Sequence, residues 1–501
     1  MPKGHRDLIT PNDFRRPGDA PLSRLQRFFD ALGRGVDAAL DANYVIPSQL
    51  VIDSRSGFTL RGNGHRIKLS DGAPTGWGGS AIYIAHCTDF QIVDLICDGN
   101  RAQRKVSEDP AHVIVVDKCH RWTFRNVQAV NGTCDGFFIS AGAHKAGSGP
   151  NGAVSLDDCP SNWKMERCVA LNNYRQGASI IESIGGLISG GRYGLTNGIL
   201  DDGSGPGAGI DLEPDDQPSW PPNRIRNIRI HDVLFDRNQG PGLLITRVNG
   251  VQNIEVSDCT FDRNQKAAIE SVGDDVAILR PRVKGWSGAA YTRRASAPPK
   301  RGAIDIGYQA GPTKIVDPEF QATSRSGTTA NPCIYVHGGA AADITITGIK
   351  SDGSASIICA AHSPHVRVSH SVIDLRNATQ QDAFTFLGDY PVFEEMMLLG
   401  VYRRAAYFGG KRPRITNNKF YIRASDQQSS VISAWDAKSP EFRANLVEYE
   451  TRDASIVFGI GPDAVVIDNI VINNGNPAAF AFTAAPRLSS GNQMLKARPV
   501  P

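Results

Sequence analysis

The 501-residue chain has no apolar run long enough to span a bilayer, which excludes a transmembrane helix. Its first residues, MPKGHRDLITPNDF, lack the basic stretch and apolar core of a secretory signal, so Sec export is not expected. Charge of one sign is also missing. With 54 Lys and Arg against 51 Asp and Glu, the net +3 sets up no long-range field for nucleic acid or a membrane surface. The nine cysteines include no CxxC pair and are odd in number, which argues against a disulfide framework and against a zinc site. They are expected as reduced core or ladder residues. Aromatic residues are scarce at 8%, whereas 51 glycines and 30 prolines point to many short elements joined by turns.

What is present is repetition, and it decides the architecture. FDRNQ occurs at 235–239 and again at 261–265. Each copy follows a strand-like run, NIRIHDVLF or NIEVSDCTF, and precedes a second short run, GLLIT or AAIES. Looser versions recur from FQIVDLICDGN through WTFRNVQAVNGTCDGFFIS and WKMERCVALNNYRQGASII to AVVIDNIVINNGNPAAFAFTA. A period of roughly 20–30 residues is short for propeller blades, and the LxxLxLxxN spelling of leucine-rich repeats is absent. An all-β, single-stranded parallel β-helix remains, with like residues stacked ~4.8 Å apart from rung to rung. Asn131, Asn173, Asn238 and Asn264 are expected to form a ladder at one corner, in the left-handed backbone that Asn tolerates. An exposed solenoid end needs a cap, and PLSRLQRFFDALGRGVDAALDANY supplies an amphipathic helix with Leu22, Leu25, Phe28, Phe29, Leu32 and Val36 on one face. The predicted organisation is an arm and capping helix over 1–43, a β-helix over 44–485 and a tail over 486–501.

The segment YVIPSQLVIDSRSGFTLRGNGHRIKL resembles the start of the coil in pectin-lyase-like right-handed parallel β-helix proteins, and TLRGNGHRIKL carries their I-x-G-x-G-x-x-I-like rung. NDFRRPGDAPLSRLQRFFDAL is similar to the start of bacteriophage tailspike proteins, keeping Asp13, Phe14, Gly18 and Asp19. The resemblance implies a right-handed coil acting on a polysaccharide, placed on a virion tail or outside a cell, and a tailspike-like homotrimer.

Aligning DGFFIS, QGASII, AGIDLE, PGLLIT, AAIESV and GAIDIG puts Ile210 and Leu212 in the core, so Asp211 and Glu213 are expected to face solvent, ~6.6–7 Å apart along one strand. Phe138, Ser179, Leu244, Glu270 and Asp305 fall in the Asp211 column, and Ser140, Ile181 and Thr246 in the Glu213 column. Paired carboxylates are what glycoside hydrolysis requires, one as acid and one as base or nucleophile, and this spacing lies in the inverting range. Asp211 and Glu213 are therefore the central catalytic candidates, with Glu270, Asp305 and Asp215 in support. IDLEPDD also reads as a solvated acidic turn or a cation-binding loop. Resemblance to polygalacturonase-like members implies an aspartate cluster, for which Asp211, Asp215, Asp216 and Asp305 are the candidates. Lyase and epimerase members imply proton abstraction by Arg or Lys, often beside calcium, for which Lys145, Arg175 and Arg247 are available. A hydrolase needs no cofactor, and a non-catalytic glycan-binding spike is the third reading. Long Gly/Pro/Ser-rich segments at 141–161, 189–208, 214–223 and 287–301 flank these strands and are expected to build the binding face. Arg247, Lys145, Tyr174, Trp220 and Tyr308 are substrate-binding candidates there, and Tyr193, Trp286 and Tyr291 could stack on sugars. His112, His144 and His365 read as isolated polar residues.

Overall fold

The computed structural model describes residues 8–104, 111–142, 155–197, 207–214, 224–246, 250–286, 302–308, 310–321, 331–339, 343–352, 357–375, 382–400, 404–423, 431–450, 456–473 and 478–496. The chain divides into one unit of Met1–Ile269 with Ala290–Pro298 and a second of Glu270–Ala289 with Pro299–Pro501.

In the first unit successive rungs contribute strands of two to seven residues to three sheets, and every pairing given between them is parallel. This is the parallel β-helix that the repeat predicted. The second unit repeats the plan, with one sheet from Asp274–Leu279 to Leu488–Ser490 and another from Ile304–Ile306 to Ala478–Phe482. Of residues 486–501, expected as a tail, Leu488–Ser490 and Gln493–Lys496 pair in parallel with Val465–Ile467 and Ile470–Asn473, so the coil runs on to Lys496. Pairing also starts before residue 44, because Asp37–Ala39 lies against Thr59–Arg61. Among the described residues no helix is long and apolar enough to cross a membrane.

Period-two alternation produces the core. In the first unit Ile52, Ile84, Val116, Ile139, Ile180, Leu212 and Ile245 are register partners in one column, each at most 1% exposed. Burying such a side chain stabilises by about 1.5–3 kcal/mol. The identical FDRNQ words lie in register, and Phe235 and Phe261 stack at 4.8 Å with 3° between their planes. All nine cysteines are buried and unpaired. Helix α1, Pro21–Asp30, opens with proline at its first position and buries Leu25, Phe28 and Phe29. Its Gln26 carboxamide bonds both backbone groups of Val51, donating to the carbonyl at 2.8 Å and accepting from the N–H at 3.0 Å.

The asparagine corner differs from the expectation by one residue. Asn131 and Asn172 hold the left-handed backbone, at φ 55° and 58°, and their amides form an outer column in which Asn172 donates to Asn131 at 2.7 Å. Arg237 and Arg263 of the FDRNQ words hold the same conformation, at φ 51° each. The ladder is built by the next residue in each turn. Asn238 donates to Asn264 Oδ1 at 2.8 Å and to the Tyr193 carbonyl at 3.1 Å, while Asn173 bonds the Ala129 carbonyl and the Gly132 N–H. Thr196 stands in this ladder between Asn173 and Asn238, donating to Asn238 Oδ1 at 3.0 Å. Backbone tolerance and inward hydrogen bonding are thus served by adjacent residues, and Asn131 belongs to the outer set.

Candidate functional site

Asp211 lies on the third strand of a rung in the first unit, and Glu213 just after it. Strands β1 (Ile114–Asp117), β2 (Phe137–Ser140), β3 (Ala178–Ile180) and β4 (Ile210–Leu212) pair in sequence, placing Val115, Phe138, Ser179 and Asp211 in one outward column and Leu244 beyond them. This is the register read from the repeats. A glycine opens β2, β3 and β4, and a Cβ on Gly177 would lie 2.5 Å from the Gly209 carbonyl oxygen. That close approach brings the turn before each strand against its neighbour, and the turn side chains with it.

The environment of Asp211 corrects the expectation that it faces solvent. It is fully buried, and Glu213 is half-buried. The sheet's outer face carries its own covering here, including an apolar cluster of Val115, Phe138 and Ile181. Alternation along a strand separates the two faces of a sheet, and what packs on the outer face then decides exposure. Asp211 Oδ2 accepts a 3.0 Å bond from Gln176 Nε2, and its Oδ1 has no hydrogen-bond partner among the described residues. Burial, and then the Glu213 charge, push the Asp211 carboxyl well above the usual carboxylate range.

Beside this pair lies a second, oppositely tuned carboxylate. Asp135, fully buried, accepts from Arg175 Nε at 3.1 Å, the Gln176 N–H at 3.1 Å and Ser179 Oγ at 2.9 Å, and His112 Nδ1 lies 3.0 Å from its Oδ2. Burial alone would raise its pKa, but the Arg175 charge, His112 and the Gln176 N–H outweigh it and hold Asp135 below the usual range. Asp135 in turn raises the pKa of Arg175, to which Asp211 and Glu213 also contribute. The His112 ring stacks on Phe138 with centroids 4.0 Å apart. His112, Cys134 and Asp135 place a nitrogen, a sulfur and an oxygen within 4.8 Å of one another, a donor set able to meet a metal ion. Arg175 already supplies positive charge at Asp135, which disfavours a cation there. Farther down the column of Ile181 and Ser140, Asp117 is buried, accepting from Tyr83 at 2.7 Å, and burial raises its pKa.

Sequence reading missed His112, Asp135, Gln176 and Asp117. Asp135 and Gln176 could have been found, since both stand immediately before the glycine that opens a third strand, in CDG and RQG. His112 could not, because only the fold brings it to Asp135.

The remaining candidates are dispersed. In the second unit, Asp305 is buried and accepts from the Gly302 N–H at 3.0 Å, while its Oδ1 lies 2.9 Å from His337 Nε2. Tyr335 meets the His337 ring edge-to-face at 4.5 Å, and Tyr308, 65% exposed, lies 5.2 Å from it. Glu270 is half-buried in the strand Ile269–Ser271. Tyr174 lies under the Arg101 guanidinium at 5.1 Å. Tyr193 is wholly buried in the core and so is no sugar platform, and Trp286 is 8% exposed. Lys145, Asp215, Asp216, Trp220, Arg247 and Tyr291 lie outside the described residues.

No family model matches the chain, and no curated protein matches it. Among solved structures, gene product 12 of bacteriophage phi29 is similar at a TM-score of 0.49 and 11% identity, over 98% of this chain and 72% of that one. The A-module of a mannuronan C-5 epimerase of Azotobacter vinelandii is similar at 0.42 and 14%, over 79% and 96%. An alginate lyase of a Paenibacillus species is similar at 0.41 and 13%, over 72% and 98%. At these identities no residue role passes from them to this chain.

Proposed function

We propose that the protein degrades a bacterial surface or extracellular polysaccharide as a glycoside hydrolase, with Asp211 and Glu213 as its acid–base pair. The observation that carries this reading is Asp211 itself, a buried carboxyl driven toward its neutral form beside a second carboxylate. Burial, and then the Glu213 charge, disfavour the ionised form of Asp211, which suits it to the part of acid. Asp211 as acid gives its proton to the departing glycosidic oxygen, and Glu213 as base takes one from the attacking water, so the protons balance over the reaction. Glu213 is half-buried and Asp211 fully buried, so the glycosidic oxygen has to be brought in past Glu213 to reach the acid. Asp135 and His112 fix Arg175 beside the pair as positioning residues.

In this reading the coil is right-handed, as parallel crossovers are in nearly all cases, helix α1 closes its first rung, and the protein works on a virion tail or outside a cell, as a homotrimer in the tailspike form. Hydrolysis of this kind needs no cofactor. A lyase or epimerase reading, with calcium as a possible companion, draws on a different observation, the Asp305–His337 contact flanked by Tyr308 and Tyr335, which suits proton transfer at a uronate.

The test incubates the full chain with capsular, exopolysaccharide and lipopolysaccharide glycans, recording reducing ends and the absorbance of unsaturated uronate. New reducing ends without that absorbance are expected, lowered by a factor of ~10²–10⁴ in an Asp211→Asn, Glu213→Gln variant. Undiminished cleavage by that variant would sink the site. Unsaturated products lost in His337→Ala would transfer the chemistry to the second unit.

A further inference from the structure

The turn that supplies Arg175 and Gln176 to the buried cluster has a second side. One of its preceding residues, Asn172, borders an open groove of about 470 Å³ in the first unit, with Lys68, Asp98, Arg101, Asn131 and Asn197 among its lining. This volume lies within the ~300–1,000 Å³ of ordinary ligand sites.

The groove is a built surface. Asn172 donates to Asn131 at 2.7 Å, Asn131 to Asp98 at 3.1 Å, and Asn197 to Asn172 at 3.3 Å, so side-chain amides run in one line from rung to rung. Arg101 spans that line, bonding Asn197 Oδ1 and the Asn172 carbonyl, with its guanidinium over the Tyr174 ring. Its acceptors are neutral, and burial lowers its pKa, the mark of a cation partly withdrawn from water without a carboxylate. Asp98, the one carboxylate of the lining, is already joined to Arg66. Lys68 sits beside Asp98 in the strand register and forms no ion pair among the described residues. The groove therefore presents two cations, one neutralised acid and a row of amides, with the Tyr174 ring against the Arg101 guanidinium.

We infer that this groove binds an acidic polysaccharide, its carboxylate or sulfate groups on Arg101 and Lys68 and its hydroxyls on the Asn131–Asn172–Asn197 row. Amides match hydroxyls, and a guanidinium, here held over the Tyr174 ring, matches a carboxylate or sulfate. The inference rests on the hydrolase reading for its direction only. A chain laid along the groove meets the same turn that carries Arg175 and Gln176, so the groove holds substrate on one approach to the carboxylate pair.

Affinity electrophoresis of the full chain through gels containing polygalacturonate, alginate or hyaluronate, against dextran and pullulan, tests it. At least one acidic polymer is expected to retard the protein, less so as salt rises, with no retardation by the neutral ones. Lys68→Ala with Arg101→Gln should weaken that retention roughly tenfold or more, as hydrogen bonds to charged groups are lost, and Arg101→Lys should restore part of it. Unaltered circular dichroism in the double variant shows that folding is not the cause. No retardation by any acidic polymer at low salt, or retention unchanged in the double variant, overturns the groove. The Asp211→Asn, Glu213→Gln variant separates the two readings. Retention kept while cleavage is lost leaves both standing, and cleavage undiminished with retention kept removes the hydrolase site alone.

Discussion

The third-strand face of the first unit and the last rungs of the second are built from the same repeat and spend it differently. In the second unit, Asn418, Asn445, Asn469 and Asn492 follow one another at intervals of 27, 24 and 23 residues. Each of the first three donates from its Nδ2 to the next asparagine's oxygen at 2.8–3.0 Å. In the first unit the equivalent steps lengthen to 42 residues between Thr196 and Asn238, and the ladder contains a threonine. There the outer face carries His112, Asp135, Arg175, Gln176 and Asp211. Rungs of regular length satisfy their polar groups by repetition. Rungs lengthened by insertions leave polar groups to be satisfied by specific partners, which is where chemistry can be placed.

Five outcomes would break or sharpen that contrast. The largest is expected from Asp135→Ala, which leaves Arg175 beside the Asp211–Glu213 pair without its main partner and strips acceptors from Gln176 and Ser179. The cost should be about 3–5 kcal/mol in urea unfolding, and a loss below 1 kcal/mol would show that the cluster is not a unit. Asp135 also sets a pH dependence. Its folded pKa is depressed, so its contribution is present above its unfolded pKa of ~3.9 and is lost as pH falls toward the folded value. An acid-unfolding curve should lose part of its slope below pH 4 in Asp135→Asn.

Next comes Asn445→Ala in the regular ladder. Asn445 bonds the Ile415 carbonyl, Asn418 and Asn469, and its loss should cost about 2–3 kcal/mol through buried groups left unmet. A smaller effect of opposite sign is expected from Asp211→Asn alone. A carboxyl with a raised folded pKa loses stability as pH climbs from its unfolded value toward the folded one, so the amide should raise the melting temperature at pH 7, with the gain vanishing near pH 4. A destabilised Asp211→Asn at pH 7 would contradict the raised pKa of that group. The least effect belongs to Asn131→Ala on the outer amide column, within about 0.5 kcal/mol by the same unfolding measurement. A cost equal to that of Asn445→Ala would mean that the outer and inner columns do the same work.

Much of the coil was legible because repetition is a property of the chain itself. FDRNQ at 235–239 and 261–265 predicted that Phe235 would meet Phe261 and Asn238 would meet Asn264, and both do. Aligning DGFFIS with QGASII and GIDLE gave the register of Phe138, Ser179 and Asp211. The assignment failed where neighbouring positions have different jobs. Asn131 was placed with Asn173, although one holds the left-handed turn and the other the inner ladder. The carboxylates were read as solvated, although Asp211 is fully buried. His112 reads as an isolated polar residue in the sequence, yet it lies 3.0 Å from Asp135.

By itself, then, the sequence determined the repeat, the alternation and the column in which Asp211 stands, since these follow from local periodicity and the fixed spacing of parallel strands. Tertiary structure alone decided that the column is covered, that Asp135 is ionised by Arg175 while Asp211 is driven toward neutrality, and that His112 belongs with them. Burial and Coulombic partnership depend on which residues the coil brings side by side. His112 and Arg175 are 63 positions apart in the chain and meet at one carboxylate.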